Sequence, residues 1–352
     1  MKKNYYVEII STIIAMFIVP ILVFLAGAIS GLVLKWIIGG FVVDGLNLIF
    51  NTTRFSADKI PIACGTLAVI GSFFKTTMIN KEQVMNYHSD TWIMDCVREH
   101  YNEALEHFPE DRIVCLVLQG SQNYGLDTMH SDIDTKCVLV PTFADLAMNR
   151  QPISTTHIRA DDSHTDWKDI RLMLQIFRKC NLNFLEILFS SYYIINPLYE
   201  QEWNRLIQNN ELIANYDPGK AVKTMCGLAH RKYEQMEHES PSHHDDIETY
   251  GYARKELHHL LRIEEYIGRY INGEHYRDCL RSNKAAYLID VKNGYYDLET
   301  ARIVANTAMD NIDKICDAYL KTCFKETNKE VDALLDDVQY NIMKIAIEKE
   351  LK

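Results

Sequence analysis

The 352-residue chain has no cysteine pair spaced Cys-x-x-Cys and no internal repeat. Its nine cysteines, at 64, 96, 115, 137, 180, 226, 279, 316 and 323, are scattered singly. Cys115 and Cys137 fall inside apolar runs, where a free thiol behaves as a small hydrophobe. The pattern reads as reduced, intracellular cysteines with no zinc site. Basic charge is scarce as well: from residue 81 onward, 31 Lys and Arg stand against 45 Asp and Glu, a net of −14. An acidic body argues against broad, non-specific nucleic-acid binding and leaves room only for a local basic groove. The first 80 residues differ, with six basic and three acidic side chains, a net of +3.

Charge is missing altogether from Ile9 to Leu34, 26 residues in length. That exceeds the roughly 20 residues needed to cross a bilayer. It is also too long for the apolar region of a cleaved signal, about 7 to 15 residues, so it reads as a retained span. Pro20 is a candidate kink, and Gly27-xxx-Gly31 offers a small-residue face for helix packing, unless chance alone put it in a span rich in such residues. A second apolar run, Ile60 to Phe74, is bracketed by Lys59 and Lys75. At 15 residues it is short for a crossing, so a tilted hairpin arm, a re-entrant segment or an interfacial helix fits it equally. Trp36 to Phe50 between them is glycine-punctuated and amphipathic, and residues 76 to 89 read as a linker. In size and texture the segment is similar to small phage membrane proteins of the holin kind.

Beyond it, Asp90 to Glu106 has apolar residues at helical spacing, with Asp90 as the candidate cap. The stretch around which the chain is organised follows, Ile113 to Val140: an apolar strand, a break at Gly120-Ser121, and a second strand, Cys137 to Val140, just after Asp132 and Asp134. In an extended strand, residues two apart share a face, so Asp132 and Asp134 converge while Ile133 turns to the core. Converging carboxylates repel unless a cation or proton sits between them, and such oxygen donors suit Mg²⁺ or Mn²⁺. Gly120 admits a positive φ and close approach of a backbone amide, and the Ser121 hydroxyl can donate to a phosphate oxygen. Either motif alone is weak; the combination is far more specific.

Gly120-Ser121 followed by Ser131-Asp132-Ile133-Asp134 resembles the signature of the polymerase-β-like nucleotidyltransferase superfamily. The fuller string GSQNYGLDTMHSDIDTK is similar to predicted bacterial and phage nucleotidyltransferases, including the branch associated with RNA repair. The similarity continues through Asn181-Leu182-Asn183-Phe184-Leu185-Glu186 to Lys255-xxx-His259-xx-Arg262, roughly residues 85 to 290. It implies an α+β fold, a small mixed sheet flanked by helices, followed by a C-terminal helical domain that closes a nucleotide cleft. The expected organisation is a membrane segment over 1–80, a catalytic core over 85–200 and a helical domain over 201–352.

A two-metal phosphoryl-transfer site needs about three carboxylates, two on one strand and a third from its neighbour. Ser154 to Lys168 reads as a hairpin, and its second strand is expected beside the Asp132/Asp134 strand. That selects Asp166 as the third ligand, with Asp162 and Asp169 as rivals; Asp169 suits the cap of a helix carrying Ile170, Met173, Leu174 and Phe177 on one face. Glu186 sits among apolar residues and needs a partner; a structural role and direct ligand contact are both open. Lys255, His259 and Arg262, at i, i+4 and i+7, share a helix face and could meet the β and γ phosphates of a triphosphate, Arg as a bidentate donor and Lys as a point charge. His258 is the alternative to His259, and an exposed basic face is the bland reading of the set. His238, His243 and His244 read as a solvated loop, and the tyrosine pairs as packing at a core edge.

Together these predict a Mg²⁺- or Mn²⁺-dependent nucleotidyltransferase in which Asp132, Asp134 and Asp166 hold metal, and Gly120, Ser121, Lys255, His259 and Arg262 bind the nucleotide. The expected partners are a nucleoside triphosphate, a membrane and an unread hydroxyl acceptor, with an RNA end, a second nucleotide or a protein as candidates. The contrasting reading is a holin-like or scaffold membrane protein whose soluble part is not catalytic. The basic flanks do not decide orientation, but reduced cysteines and a need for nucleotide favour the cytoplasmic face of a bacterial or phage-infected cell.

Overall fold

The structure, a computed structural model, describes residues 2–79, 87–323 and 327–352, with side chains described over 20–69 and from 87 onward. The chain divides into two compact units between Gln83 and Val84. In the first, helix α1 (Lys2–Ile49) runs without interruption through Pro20 and is followed by α2 (Ile60–Ile79). Gly27 and Gly31 lie where the two helices meet. A Cβ on Gly27 would come 2.6 Å from the Ala68 Cβ, and one on Gly31 would come 2.7 Å from the Pro61 Cα. Any side chain there would force the helices apart. The stretch Pro20–Ile49 is long and apolar enough to cross a membrane, and Trp36 and Phe41 stand out from it, 90% and 85% exposed. Side chains of the expected span before Pro20 lie outside the described residues, as do residues 80–86 of the expected linker.

The second unit is built on a five-stranded mixed sheet in the order β3-β4-β2-β1-β5. Its strands are β1 (Ile113–Gln119), β2 (Asp134–Leu139), β3 (Ser154–Ile158), β4 (His164–Asp169) and β5 (Tyr193–Ile195). The β2–β4 pair is parallel and the other pairs are antiparallel. The two faces follow from the period of two. Leu116, Leu118, Cys137 and Leu139 pack on Ile93, Val97 and Ala104 of α3 (Asp90–His107). Ser89, one residue ahead of the expected Asp90, caps α3 by accepting the Trp92 N–H. A β-bulge between Ile113 and Cys115 lets Val114 and Cys115 both join the opposite core.

That core is continuous with Ile170, Met173, Leu174 and Phe177 of α4 (Ile170–Phe177), all buried. Eight residues are too few for a stable isolated helix. Burying four large side chains at about 1.5–3 kcal/mol each supplies what propensity does not. Asp169 caps α4 through the Arg171 N–H, as its position suggests. A helical array completes the unit: α5 (Glu200–Gln208), α6 (Pro218–Gln235), α7 (Arg254–Ile271), α8 (Ala285–Lys292), α9 (Leu298–Thr322) and α10 (Lys329–Glu350). Of the histidines expected in a loop, His244 opens a short helix, His244–Tyr250. The fold is thus α+β, a five-stranded mixed sheet flanked by helices and followed by a helical array.

Candidate active site

β1 ends at Gly120 with φ 103° and ψ −155°, angles that only glycine takes without strain. A Cβ there would meet nothing closer than Gln122 Oε1 at 3.9 Å, so backbone angle, and not space, demands the glycine. A short helix, Ser121–Tyr124, follows the turn. From it, Gln122 Nε2 donates to the Asp132 carbonyl at 2.9 Å and ties the turn to the loop carrying the first aspartate. β2 begins at Asp134, paired with Gln119. Ile133 enters the α3-side core, and Asp132 and Asp134 turn the other way, into a cleft of about 370 Å³.

All the candidate residues line this cleft: Gly120, Ser121, Asp132, Asp134, Asp166, Glu186, Lys255, His259 and Arg262. His164, on β4, donates its backbone N–H to Asp134 Oδ1 at 3.0 Å and places Nδ1 3.2 Å from the same oxygen. Asp132, Asp134 and His164 present ligand atoms within 4.8 Å of one another. Burial and then the charge of Asp132 push the Asp134 pKa up, against His164. A divalent ion would relieve that repulsion, so the donor set fits one, and its oxygen donors favour Mg²⁺ or Mn²⁺.

Asp166 lies one pair further along the parallel β2–β4 ladder, opposite Lys136. Lys136 Nζ donates to its Oδ2 at 2.9 Å and Thr156 Oγ1 to its Oδ1 at 2.6 Å. Burial alone would raise the Asp166 pKa, but Lys136 and Thr156 outweigh it and hold the carboxyl below its usual range. Asp166 therefore faces the cleft with one oxygen on Lys136 and the other on Thr156, while His164 presents its ring nitrogen beside Asp132 and Asp134. Of the rivals, Asp162 sits at φ 65° in the β3–β4 turn, and Asp169 is taken by its cap and by Arg171 at 2.7 Å.

The facing wall is cationic. Lys232 of α6, Lys255 and Arg262 of α7, and Lys292 at the end of α8 all reach it, with Lys136 rising from the sheet. Lys232 pairs with Glu256 at 2.9 Å, and Lys292 donates to Ser131 Oγ at 3.1 Å. The Arg262 guanidinium is buried and lies 3.8 Å from the centre of the Tyr124 ring. Burial depresses the pKa of Lys136, Arg262 and Lys292 alike. His258 donates Nδ1–H to the Leu288 carbonyl at 2.8 Å, and burial takes its pKa down to about 4. His259 is also held below the ordinary imidazole value, chiefly by burial, with His258 and Arg262 beside it adding to the shift.

Glu186 links the two walls. Its Oε1 accepts the Gly120 N–H at 3.2 Å, so that amide is already used and is not free for a phosphate. Burial drives its pKa up to about 8, against Arg262 and the Gly120 N–H. Glu186 Oε2, Arg262 Nε and Gln122 Oε1, all in cleft-lining residues, are buried without a hydrogen-bond partner among the described residues. Buried polar atoms left so are costly unless a ligand or water meets them. The arrangement can hold a metal-bound polyphosphate: carboxylates on one side and an excess of fixed positive charge on the other.

Residues 97–293 match the RNA repair pathway DNA polymerase beta family, RlaP. The chain belongs to this family. No curated protein matches it. The RlaP match takes in the whole sheet and ends just past Lys292, with α1, α2, α9 and α10 outside it. Within this RlaP-family site, three cleft residues, Lys136, Lys232 and Lys292, and His164 beside them lie outside the expected set. Lys136 shares the strand face of Asp134 by simple alternation, which could have marked it. His164 depends on the parallel β2–β4 register. Lys232 and Lys292 arrive from helices more than 90 residues beyond the aspartates, and no local spacing points to them.

Proposed function

We propose that this RlaP-family protein is a metal-dependent nucleotidyltransferase that moves a nucleoside monophosphate from a triphosphate to a hydroxyl. An RNA end is the acceptor that the family's place in RNA repair favours. The observation that carries the reading is the pairing of Asp132 and Asp134 with a facing wall of four cations, Lys232, Lys255, Arg262 and Lys292, across one cleft.

In this reading Asp132 and Asp134, with His164 beside them, hold Mg²⁺ or Mn²⁺. When bound, the metal neutralises phosphate charge and lowers the pKa of an attacking hydroxyl. Lys232, Lys255, Arg262 and Lys292 bind and orient the triphosphate tail, Arg262 through its fork of donors and the lysines as point charges. The acceptor oxygen bonds to the α-phosphorus as the α–β anhydride breaks, and pyrophosphate leaves toward the cationic wall. Lys136 holds Asp166 ionised at the floor of the cleft, a position from which the carboxylate can take the hydroxyl proton. Glu186 positions Gly120 and does not itself touch substrate. The apolar hairpin α1–α2 anchors the protein to a membrane, with the catalytic unit in the cytoplasm.

The test is incubation of the full-length protein in detergent with α-³²P-labelled NTPs, Mg²⁺ and RNA carrying free ends. Label in the RNA, lost on chelation and in D132A and D134A, supports the reading. Label only in protein moves the acceptor to a protein hydroxyl, and no label in any acceptor with all four NTPs refutes the transferase.

A further inference from the structure

The back of α6 carries a second constellation. Leu228 and Lys232 of this helix face the cleft. Cys226 and His230, also four apart but offset by two residues, lie on the opposite side, toward α9. There the Cys226 Sγ is 3.8 Å from Asp313 Oδ1, and His230 Nε2 is 2.8 Å from the same oxygen. The three residues bring their ligand atoms within 4.8 Å of one another. Cys316, three residues after Asp313 on the same face of α9, is buried beside Cys226 but lies outside this 4.8 Å group.

We propose that Cys226, His230 and Asp313 form a structural zinc site that pins α6 to α9, with Cys316 turning its side chain in as the fourth ligand. Two thiols, an imidazole and a carboxylate make a borderline-soft, four-ligand set of the kind zinc takes, contributed as an i, i+4 pair from one helix and an i, i+3 pair from its neighbour. With zinc bonds of about 2.0–2.3 Å, a tetrahedron sets sulfur and oxygen about 3.6 Å apart and nitrogen and oxygen about 3.4 Å apart. The first separation is nearly met. The second requires His230 and Asp313, both half-exposed side chains, to open by roughly half an ångström. A His230–Asp313 ion pair alone would be worth about 0–1 kcal/mol and would not explain a thiol set on the same carboxylate oxygen. Each thiol gives its proton to solvent as it takes the metal. The set differs in kind from Asp132 and Asp134, so zinc here and a hard cation in the cleft do not compete for one place. Asp313 and Cys316 also fall outside the family match, which makes the site a property of this chain.

The test uses the full-length protein in detergent under reducing conditions, loaded with zinc or cobalt and dialysed. The expected result is about one retained zinc per chain, with cobalt substitution giving thiolate-to-metal charge transfer and tetrahedral d–d bands. C226S and H230Q should lose both, and C316S should lose about half of the charge-transfer intensity, while D132A/D134A should keep zinc and spectrum intact. H230Q alters a half-exposed position, so a folding defect in C226S does not spoil the test. No retained zinc, or zinc kept at full level in both C226S and H230Q, overturns the proposal. Zinc lost from D132A/D134A instead assigns it to the cleft. An unchanged C316S spectrum removes Cys316 from the ligand set and with it the four-ligand site.

Discussion

Glu186 allows the electrostatics of the cleft to be tested without any substrate. Its carboxyl is fully buried, accepts one backbone N–H, and has its pKa raised from the ordinary 4.5 to about 8 in spite of Arg262 nearby. The unfolded chain ionises this group near 4.5, while the folded chain keeps it protonated until about pH 8. Between those values only the unfolded state gains by losing the proton, so stability falls as pH rises and levels off above pH 8. At 1.4 kcal/mol per tenfold the full loss is about 5 kcal/mol, of which about 3 is already present at pH 7. Glu186→Gln keeps the shape and an oxygen for the Gly120 N–H but cannot ionise. Urea unfolding of the full-length protein and of this variant, followed by tryptophan fluorescence from pH 5 to 9, should give nearly equal stabilities at pH 5. The variant should pull ahead by several kcal/mol at pH 8. Parallel profiles would mean that Glu186 is already ionised in the folded protein and paired with Arg262, and the account of the cleft floor would fall with them.

Gly120→Ala should cost about 1–3 kcal/mol by strain at φ 103° alone, since the space for a methyl is open, and equilibrium unfolding reads it directly. Asp127→Ala should destabilise the catalytic unit by about 2–4 kcal/mol, because its buried carboxylate accepts the N–H groups of both Tyr87 and His88 at 3.0 Å; the same measurement decides. In the membrane segment, Gly31→Leu should separate α1 from α2, since a Cβ at residue 31 already falls 2.7 Å from the Pro61 Cα. Protease cleavage between the two helices in detergent should rise in the variant, and an unchanged cleavage rate would contradict the helical hairpin.

Much of this architecture is legible in the sequence where the determining interactions are local. The alternation Asp132-Ile133-Asp134 places its carboxylates because strand geometry has a period of two. The apolar spacing of α4 and its Asp169 cap are written within ten residues. The same period of two sets Lys136 on the face of Asp134, a placement equally local. What stays hidden depends on distant pairing. The parallel register sets His164 against Asp134 and Lys136 against Asp166, and no spacing within either strand encodes it. Lys232 and Lys292 read as ordinary exposed positions of amphipathic helices until the helices are packed. A search for Cys-x-x-Cys likewise passes over Cys226 and His230, whose spacing is that of a helix face and whose partners lie more than 80 residues on.

The central claim is that Asp132 and Asp134 hold a catalytic metal against a triphosphate bound by the facing cations. The most direct measurement is Mg²⁺-dependent release of pyrophosphate from NTP by the full-length protein, compared with D132N and D134N shown to be equally stable. Release should fall by at least about 100-fold in each variant, with no rescue by added Mg²⁺. Undiminished release in either variant would contradict the claim.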